Sequence, residues 1–237
     1  MLSVEKVCKS YGNYAACSDI SMKLEPKKII GLFGANGAGK STCFHMITGL
    51  IKPDSGQIKI DTDDITAFPI YQRASLGLSF LPQDKSIFQD LTVEENILSI
   101  LEITEKNKKN RVKQLELMID QFCLNKVRYT LGKLLSGGER RRTEIARAMA
   151  SKPKFVLLDE PFSGVDPISI QEIKALLKET LTRSDVGILI SDHNVSATLP
   201  FCDYAYILHQ GKKLAEGTPD MIAHNEMAKK YYFGTNS

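Results

Sequence analysis

The sequence predicts an α/β protein with a mostly parallel core sheet and an inserted helical subdomain, within 237 residues. Three observations carry that expectation. The apolar run Ile29-Ile30-Gly31-Leu32-Phe33 leads directly into Gly34-Ala35-Asn36-Gly37-Ala38-Gly39-Lys40-Ser41-Thr42, which satisfies G-x-x-x-x-G-K-[ST] in the strand-then-helix setting that this pattern requires. Phe155-Val156-Leu157-Leu158 is apolar without alternation, as a parallel strand buried on both faces must be, and it ends in Asp159-Glu160. Between these two runs the periodicity turns helical, from Thr92 to Ala150.

Residues 1 to about 83 read as strand-rich, with strands at Val4 to Val7, Ile20 to Leu24, Ile29 to Phe33, and Ile58 to Ile60 after the turn Pro53-Asp54-Ser55-Gly56. One helix, Lys40 to about Leu50, interrupts them. Thr92-Val93-Glu94-Glu95 is a T-x-x-E capping box that opens a helix carrying Ile97, Leu98, Ile100 and Leu101. Val112, Leu115, Met118, Ile119 and Phe122 then repeat at amphipathic spacing. Strands return at Phe155 to Leu158, Gly187 to Ile190 and Tyr204 to Leu208, the last before the turn Gln210-Gly211-Lys212. The cluster Lys106, Lys108, Lys109, Arg111, Lys113 reads as a solvated helix start.

Glycines between Gly34 and Gly39 let successive backbone N–H groups turn inward around an anion at a helix N-terminus, where the helix dipole adds positive potential. Lys40 is expected to reach the β- and γ-phosphates of a nucleoside triphosphate, and the Ser41 hydroxyl to ligate Mg²⁺. Asp159 and Glu160 arrive at the C-terminal edge of the sheet, where α/β sheets bind ligands. Asp159 is expected to hold the metal through water, and Glu160 to polarise the attacking water.

Length and composition agree. The chain can bury a substantial core as one large domain or two small ones. Lys and Arg total 31 against 28 Asp and Glu, a net charge of +3, so nucleic acid is not expected as the main partner. No apolar stretch approaches the roughly 18 residues that span a bilayer, and the first residues lack a secretion-signal pattern. A cytoplasmic setting is the expectation. Cys8, Cys17, Cys43, Cys123 and Cys202 are scattered, with no C-x-x-C pair, and read as reduced, mostly packing residues.

A second glycine-rich stretch, Leu135-Ser136-Gly137-Gly138-Glu139, precedes a helical run and again has anion-binding geometry. An ordinary S-x-x-E capping box between Ser136 and Glu139 is the plainer explanation of the same residues. With these residues the chain resembles the ATP-binding cassette family, whose signature is the Leu-Ser-Gly-Gly-Glu/Gln stretch. The resemblance implies a P-loop NTPase fold of the ABC nucleotide-binding type, with an antiparallel β-subdomain beside the parallel sheet. It implies a single domain whose catalytic core is 1–83 and 151–216, with a helical subdomain at 84–150 carrying the signature and a C-terminal tail at 217–237.

By the same resemblance, two copies pair head to tail, and Ser136, Gly137 and Gly138 of one cap the γ-phosphate held by the phosphate loop of the other. Asn36, Gly37, Ala38, Gly39, Lys40, Ser41 and Thr42 would bind ATP, with Ser41, Gln83 and Asp159 meeting Mg²⁺. Gln83 takes the place of the Q-loop glutamine, His193 that of the switch histidine, and Ser163-Gly164-Val165-Asp166 that of the D-loop. Tyr11 resembles the aromatic residue that stacks on adenine, although Tyr14 lies nearby and either could simply pack.

Two transmembrane permease subunits are the implied partners, docking near Gln83 to Leu101. Phe88, an aromatic in a polar loop, is either an anchor in that groove or a side chain buried in its own domain. The stretches 81–96, 159–169 and 191–195 resemble the lipopolysaccharide-exporting members, peripheral to the cytoplasmic face of the inner membrane. Importer ATPases for branched-chain amino acids share much of these stretches. Ala35 stands where proline is common in the family, and Cys43, His45 and Thr143 are smaller departures. Members acting on DNA or ribosomes carry long coiled coils or a second cassette, whereas only residues 41–135 separate Lys40 from Ser136 and there is one cassette. A non-hydrolysing regulator would lack Glu160.

Overall fold

The computed structural model describes residues 1–233 of the chain. In order, the elements are strands β1 (Leu2–Tyr11), β2 (Tyr14–Leu24) and β3 (Ile29–Phe33), helix α1 (Lys40–Thr48), strands β4 (Ser55–Ile60) and β5 (Asp63–Asp64), helix α2 (Ile70–Ser75) and strand β6 (Leu78–Leu81). Helices α3 (Val93–Thr104), α4 (Lys108–Gln121) and α5 (Gly137–Ala150) follow. Then come β7 (Phe155–Asp159), α6 (Pro167–Arg183), β8 (Gly187–Asp192), α7 (Val195–Thr198), β9 (Tyr204–His209), β10 (Lys212–Gly217), α8 (Pro219–His224), α9 (Glu226–Ala228) and a closing π-type turn, Lys229–Phe233. Part of the tail at 217–237, including Gly234, lies outside the described residues.

Six strands form the core sheet in the order β10-β9-β3-β8-β7-β6. All its neighbouring pairs run parallel except β10 with β9. A second sheet, β2-β1-β4-β5, is antiparallel throughout. Its first hairpin turns at Gly12-Asn13, where Gly12 has φ +56°. β1 and β2 extend well beyond the apolar stretches that the sequence marks, because their outer ends are polar and exposed and leave no apolar trace.

Every residue of β3, β7 and β8 is buried, which is why these strands read as unbroken apolar runs. α1 seals the side facing the antiparallel sheet with Cys43, Phe44, Met46 and Ile47. α5 and α6 cover the other side, and α3 and α4 pack outward on α5 through Ile97, Leu101, Leu115, Ile119 and Phe122. Truncating one of these fully buried side chains, Phe122 for instance, should cost about 3–5 kcal/mol.

Register decides where the chemistry lies. Phe33 pairs with Asp192, Asp159 with Ser191, and Leu81 with Leu158, so four strands end at one edge of the sheet. The segments leaving that edge are the phosphate loop, Pro82-Gln83, Glu160 and His193. α6 and β6 have no counterpart among the sequence-marked elements. α6 starts with Asp166 as N-cap, its carboxylate accepting from Ser169 N–H at 2.9 Å, and Pro167 in its first turn. All five cysteines are free, with Cys17, Cys43 and Cys202 buried, Cys8 half-buried and Cys123 exposed.

Candidate active site

Helix α1 begins at Gly39, with φ +104° and no side-chain cap. The N–H groups of its first turn therefore point out of the helix without an acceptor from the side chains. Gly37 also has positive φ, at +79°, and nothing lies within 4 Å of where its Cβ would be. Gly39 is packed tightly behind the loop, since a Cβ there would sit 2.4 Å from Ala16 O. Asn36, Gly37 and Ser41 are exposed, Thr42 is half-buried, and Ala38 and Lys40 are buried. Lys40 Nζ donates to Gly34 O at 2.8 Å and to Ala35 O at 3.1 Å, so the ammonium spans the mouth of the loop. Burial pushes its pKa below the ordinary lysine value, and Glu160, Asp159 and Asp192 pull it back up.

Across the sheet edge, Asp159 is 3 % exposed and accepts from the Ser191 hydroxyl. The same hydroxyl accepts from Glu160 N–H at 3.0 Å. Glu160 has φ +45°, a left-handed conformation that costs a non-glycine residue about 1–2 kcal/mol. The strain is held by Ser191 on the amide and by Arg141 on the carbonyl. Gln83 Nε2 donates to Glu160 Oε2 at 3.0 Å, and His193 Nδ1 lies 3.4 Å from the same oxygen and 3.7 Å from Asp192 Oδ1. Gln83, Glu160 and His193, far apart in sequence, thus meet at one carboxylate.

The signature turn is differently furnished. Ser136 and Glu139 form a complete capping box: Ser136 Oγ accepts from Glu139 N–H at 3.3 Å and donates to Glu139 Oε2 at 2.7 Å, and Ser136 N–H donates to the same carboxylate oxygen at 2.9 Å. These bonds hold Glu139 below the usual carboxylate range. Gly138 is needed because a Cβ would lie 2.3 Å from Ser169 Oγ, and Gly137 faces Gly164 O. Residues 136–139 therefore pack beside Gly164 and Asp166 of their own chain, and no hydrogen bond joins them to residues 34–42.

Two sequence-marked aromatics fare differently. Tyr11 is half-exposed with Lys9 Nζ 5.8 Å from its ring centroid, and no hydrogen bond ties it to the phosphate loop. Tyr14, opposite it in the hairpin, donates its hydroxyl to Gly37 O at 2.9 Å. Phe88 is 50 % exposed rather than buried in its own domain, and the Arg147 guanidinium stands 4.5 Å from its ring centroid. The buried Asn96 amide fixes the Phe88 backbone, accepting from its N–H and donating to its C=O, each at 2.9 Å. Arg147 also lines an open cavity of about 650 Å³ bounded by Ile70, Tyr71, Phe80, Ile100 and Ile103.

Arg141 and Ser191 are site residues that motif reading passes over. The Arg141 guanidinium, on α5, donates to Pro161 O at 2.8 Å, Glu160 O at 3.1 Å, Asp159 O at 3.2 Å and Glu144 Oε2 at 3.0 Å. Glu144 in turn accepts from Ser86 N–H at 2.9 Å. Desolvation lowers the Arg141 pKa, but the buried Glu144 carboxylate and the carbonyl dipoles of Pro82, Asp159, Glu160 and Pro161 keep the charge in place. Its signal in sequence is position: Gly138, Arg141, Ile145 and Met149 form one helical stripe, and an arginine on an apolar stripe asks for a buried partner three residues on, which Glu144 supplies.

A family model described as ABC transporter matches residues 17–163. A probable ABC transporter ATP-binding protein of Azorhizobium caulinodans is 49% identical over 228 residues, 96% of this chain and 81% of that protein. The lipopolysaccharide export system ATP-binding protein LptB of Haemophilus influenzae is 46% identical over 235 residues, covering 99% of this chain and 97% of its own. The crystal structure of an ATP-binding cassette of an ABC transporter in its ADP conformation aligns with a TM-score of 0.87 at 26% identity, over 99% of this chain and 98% of that one.

Proposed function

This chain belongs to the ABC transporter family as an ATP-binding, ATP-hydrolysing cassette, and from that premise we propose that it powers extraction and export of lipopolysaccharide from the inner membrane. The observation that carries the chemistry is the meeting of Gln83, His193 and Glu160 at one carboxylate, beside an uncapped helix start that presents Lys40. The cargo rests on the likeness to LptB over nearly the whole length of both chains.

ATP fits the residues present, because the glycine-lined turn leaves free N–H donors where phosphate oxygens need them. Asn36 to Thr42 cradle the phosphates, and Lys40 exchanges its two carbonyl partners for phosphate oxygens. Mg²⁺ fits the hard oxygen donors Ser41, Gln83 and Asp159, since this ion takes few protein ligands and keeps water and phosphate oxygens as the rest. When bound, it would neutralise charge developing on the β- and γ-phosphate oxygens. Glu160 accepts a proton from the attacking water, held in orientation by Gln83 and by its strained, doubly tethered backbone. His193 steadies the γ-phosphate, and Tyr11 covers the base.

The second half of each site comes from a second copy. Ser136, Gly137, Gly138 and Asp166 approach the other copy's γ-phosphate in an ATP-dependent head-to-tail dimer. The two membrane subunits dock in the cavity beside Arg147 and Phe88, between Gln83 and Leu101, and the protein works at the cytoplasmic face of the inner membrane. Among the described residues no helix is long and apolar enough to cross a membrane.

Three measurements test this. The purified protein should hydrolyse ATP, and Glu160→Gln should stop hydrolysis while trapping an ATP-bound dimer visible by light scattering; an active, monomeric variant would defeat the assignment of base and closure. From solubilised membranes it should co-purify with two multi-span proteins. Vesicles reconstituted with those proteins should release lipopolysaccharide on ATP addition, whereas uptake of branched-chain amino acids would reassign the cargo and leave the ATPase intact.

A further inference from the structure

The C-terminal turn reaches back across the molecule to the phosphate loop. Ala35 N–H donates to Tyr232 Oη at 3.4 Å, across a sequence separation of 197 residues. The same hydroxyl donates to Leu208 O, near the end of β9, at 2.7 Å. Leu208 O is also the wall against which the loop begins, since a Cβ on Gly34 would lie 2.6 Å from it. One phenol oxygen therefore joins the first residues of the loop to the end of a core strand.

Ala35 is gripped from both sides. Its carbonyl receives Lys40 Nζ at 3.1 Å, while its N–H is taken by Tyr232. The turn that carries Tyr232 is itself anchored: Ala228 is fully buried, its N–H donates to Asn225 Oδ1 at 2.9 Å, and Tyr231 packs on the His209 ring with centroids 4.3 Å apart. A phenol keeps its proton at neutral pH and can donate and accept at once, and burial moves the Tyr232 pKa further in that direction. A tyrosine that merely packed would use its ring. This one spends both hydrogen-bonding capacities of its hydroxyl on two separate segments.

We propose that Tyr232 is a positioning residue for nucleotide binding: through the Ala35 N–H it clamps the entrance of the phosphate loop, so that docking of the C-terminal turn and occupancy of the loop by ATP strengthen each other. The coupling is reciprocal by thermodynamic linkage. It rests on residues 36–42 being the ATP cradle. Proline at position 35 would carry no N–H and could not take part, so the clamp belongs to a chain with a non-proline residue there.

The experiment is a double-mutant cycle on the full chain, read as the equilibrium dissociation constant of ADP and of a non-hydrolysable ATP analogue. Tyr232→Phe keeps the ring and should weaken binding roughly three- to tenfold, the value of one hydrogen bond, without changing the turnover rate at saturating ATP. In an Ala35→Pro background the donor is already gone, and Y232F should cost nothing further. Tyr231→Phe should bind nucleotide as the native chain does. Nucleotide should slow amide hydrogen exchange in residues 229–232 of the native chain but not of Y232F. Native affinity in Y232F, or an equal loss in both backgrounds, overturns the clamp; failure of the native chain to bind either nucleotide overturns the cradle itself.

Discussion

Two helices of this chain start with glycine-rich turns, and they differ in what their free N–H groups meet. α1 begins at a bare glycine whose first turn has no side-chain acceptor. α5 begins at Ser136, whose hydroxyl and amide are both engaged by Glu139 in a closed capping box. The first leaves its N–H groups open to an anion within one chain. The second is self-satisfied and sits beside Gly164 and Ser169 of its own chain, so a phosphate would have to compete with Glu139 for it. A glycine-rich helix start is thus a capacity for binding anions, and the local acceptors decide whether it is available.

The largest effect expected on either side is at the open half. Glu160→Gln should lower hydrolysis by about 10²- to 10⁴-fold with ATP binding retained, measured by phosphate release and equilibrium binding. If binding fell as well, the carboxylate would be holding the loop together rather than activating water. Next comes the strut between the halves. Arg141→Ala leaves Glu144 buried without its partner and frees the carbonyls of residues 159–161, so unfolding stability should drop by about 3–5 kcal/mol in urea titration, with loss of hydrolysis. A variant as stable as the native chain would show that α5 does not hold the catalytic turn.

A smaller change separates capping from catalysis at the signature turn. Ser136→Ala and Glu139→Ala should each cost about 1 kcal/mol of stability through the lost cap. Only S136A should also slow ATP hydrolysis, because in the proposed head-to-tail dimer only the serine meets a phosphate of the second copy; equal rates in the two variants would reduce Ser136 to a cap. The smallest effect is acidic. Glu139 is held below the usual carboxylate range, chiefly by the Ser136 hydroxyl, so its folded pKa lies under its unfolded one. Its stabilising contribution is present at neutral pH and is lost as pH falls through the folded value. The stability gap between native and S136A chains should therefore narrow as thermal unfolding is followed below about pH 4, and a gap that stays constant would mean that the carboxylate does not titrate against the cap.

Legibility from sequence tracks how local each feature is. β3, β7 and α1 were readable almost to the residue because burial on both faces and the glycine pattern act within a dozen neighbours. β6 is short, interrupted by Ser79 and half-buried at the sheet edge, so its apolar signal is weak. α6 carries a legible stripe in Ile173, Leu176, Leu177 and Thr180 behind an Asp-Pro start, but the turn pattern of Ser163 to Asp166 in front of it reads as loop. In the site, Lys40, Asp159 and Glu160 announce themselves by motif. Ser191 does not, since a serine closing an apolar run looks like a strand end until Asp159 is found in register beside it.

Contiguous residues alone foretold a glycine-rich loop between β3 and α1 and two carboxylates at the close of β7, because both depend on neighbours in the chain and on backbone freedom coded by glycine. Tertiary structure alone decided that Gln83 and His193 converge on Glu160, that Arg141 braces the turn beneath it, and that Tyr232 returns to Ala35. Those contacts join segments tens to hundreds of residues apart, and only the strand order and register of the core sheet bring them within hydrogen-bonding distance.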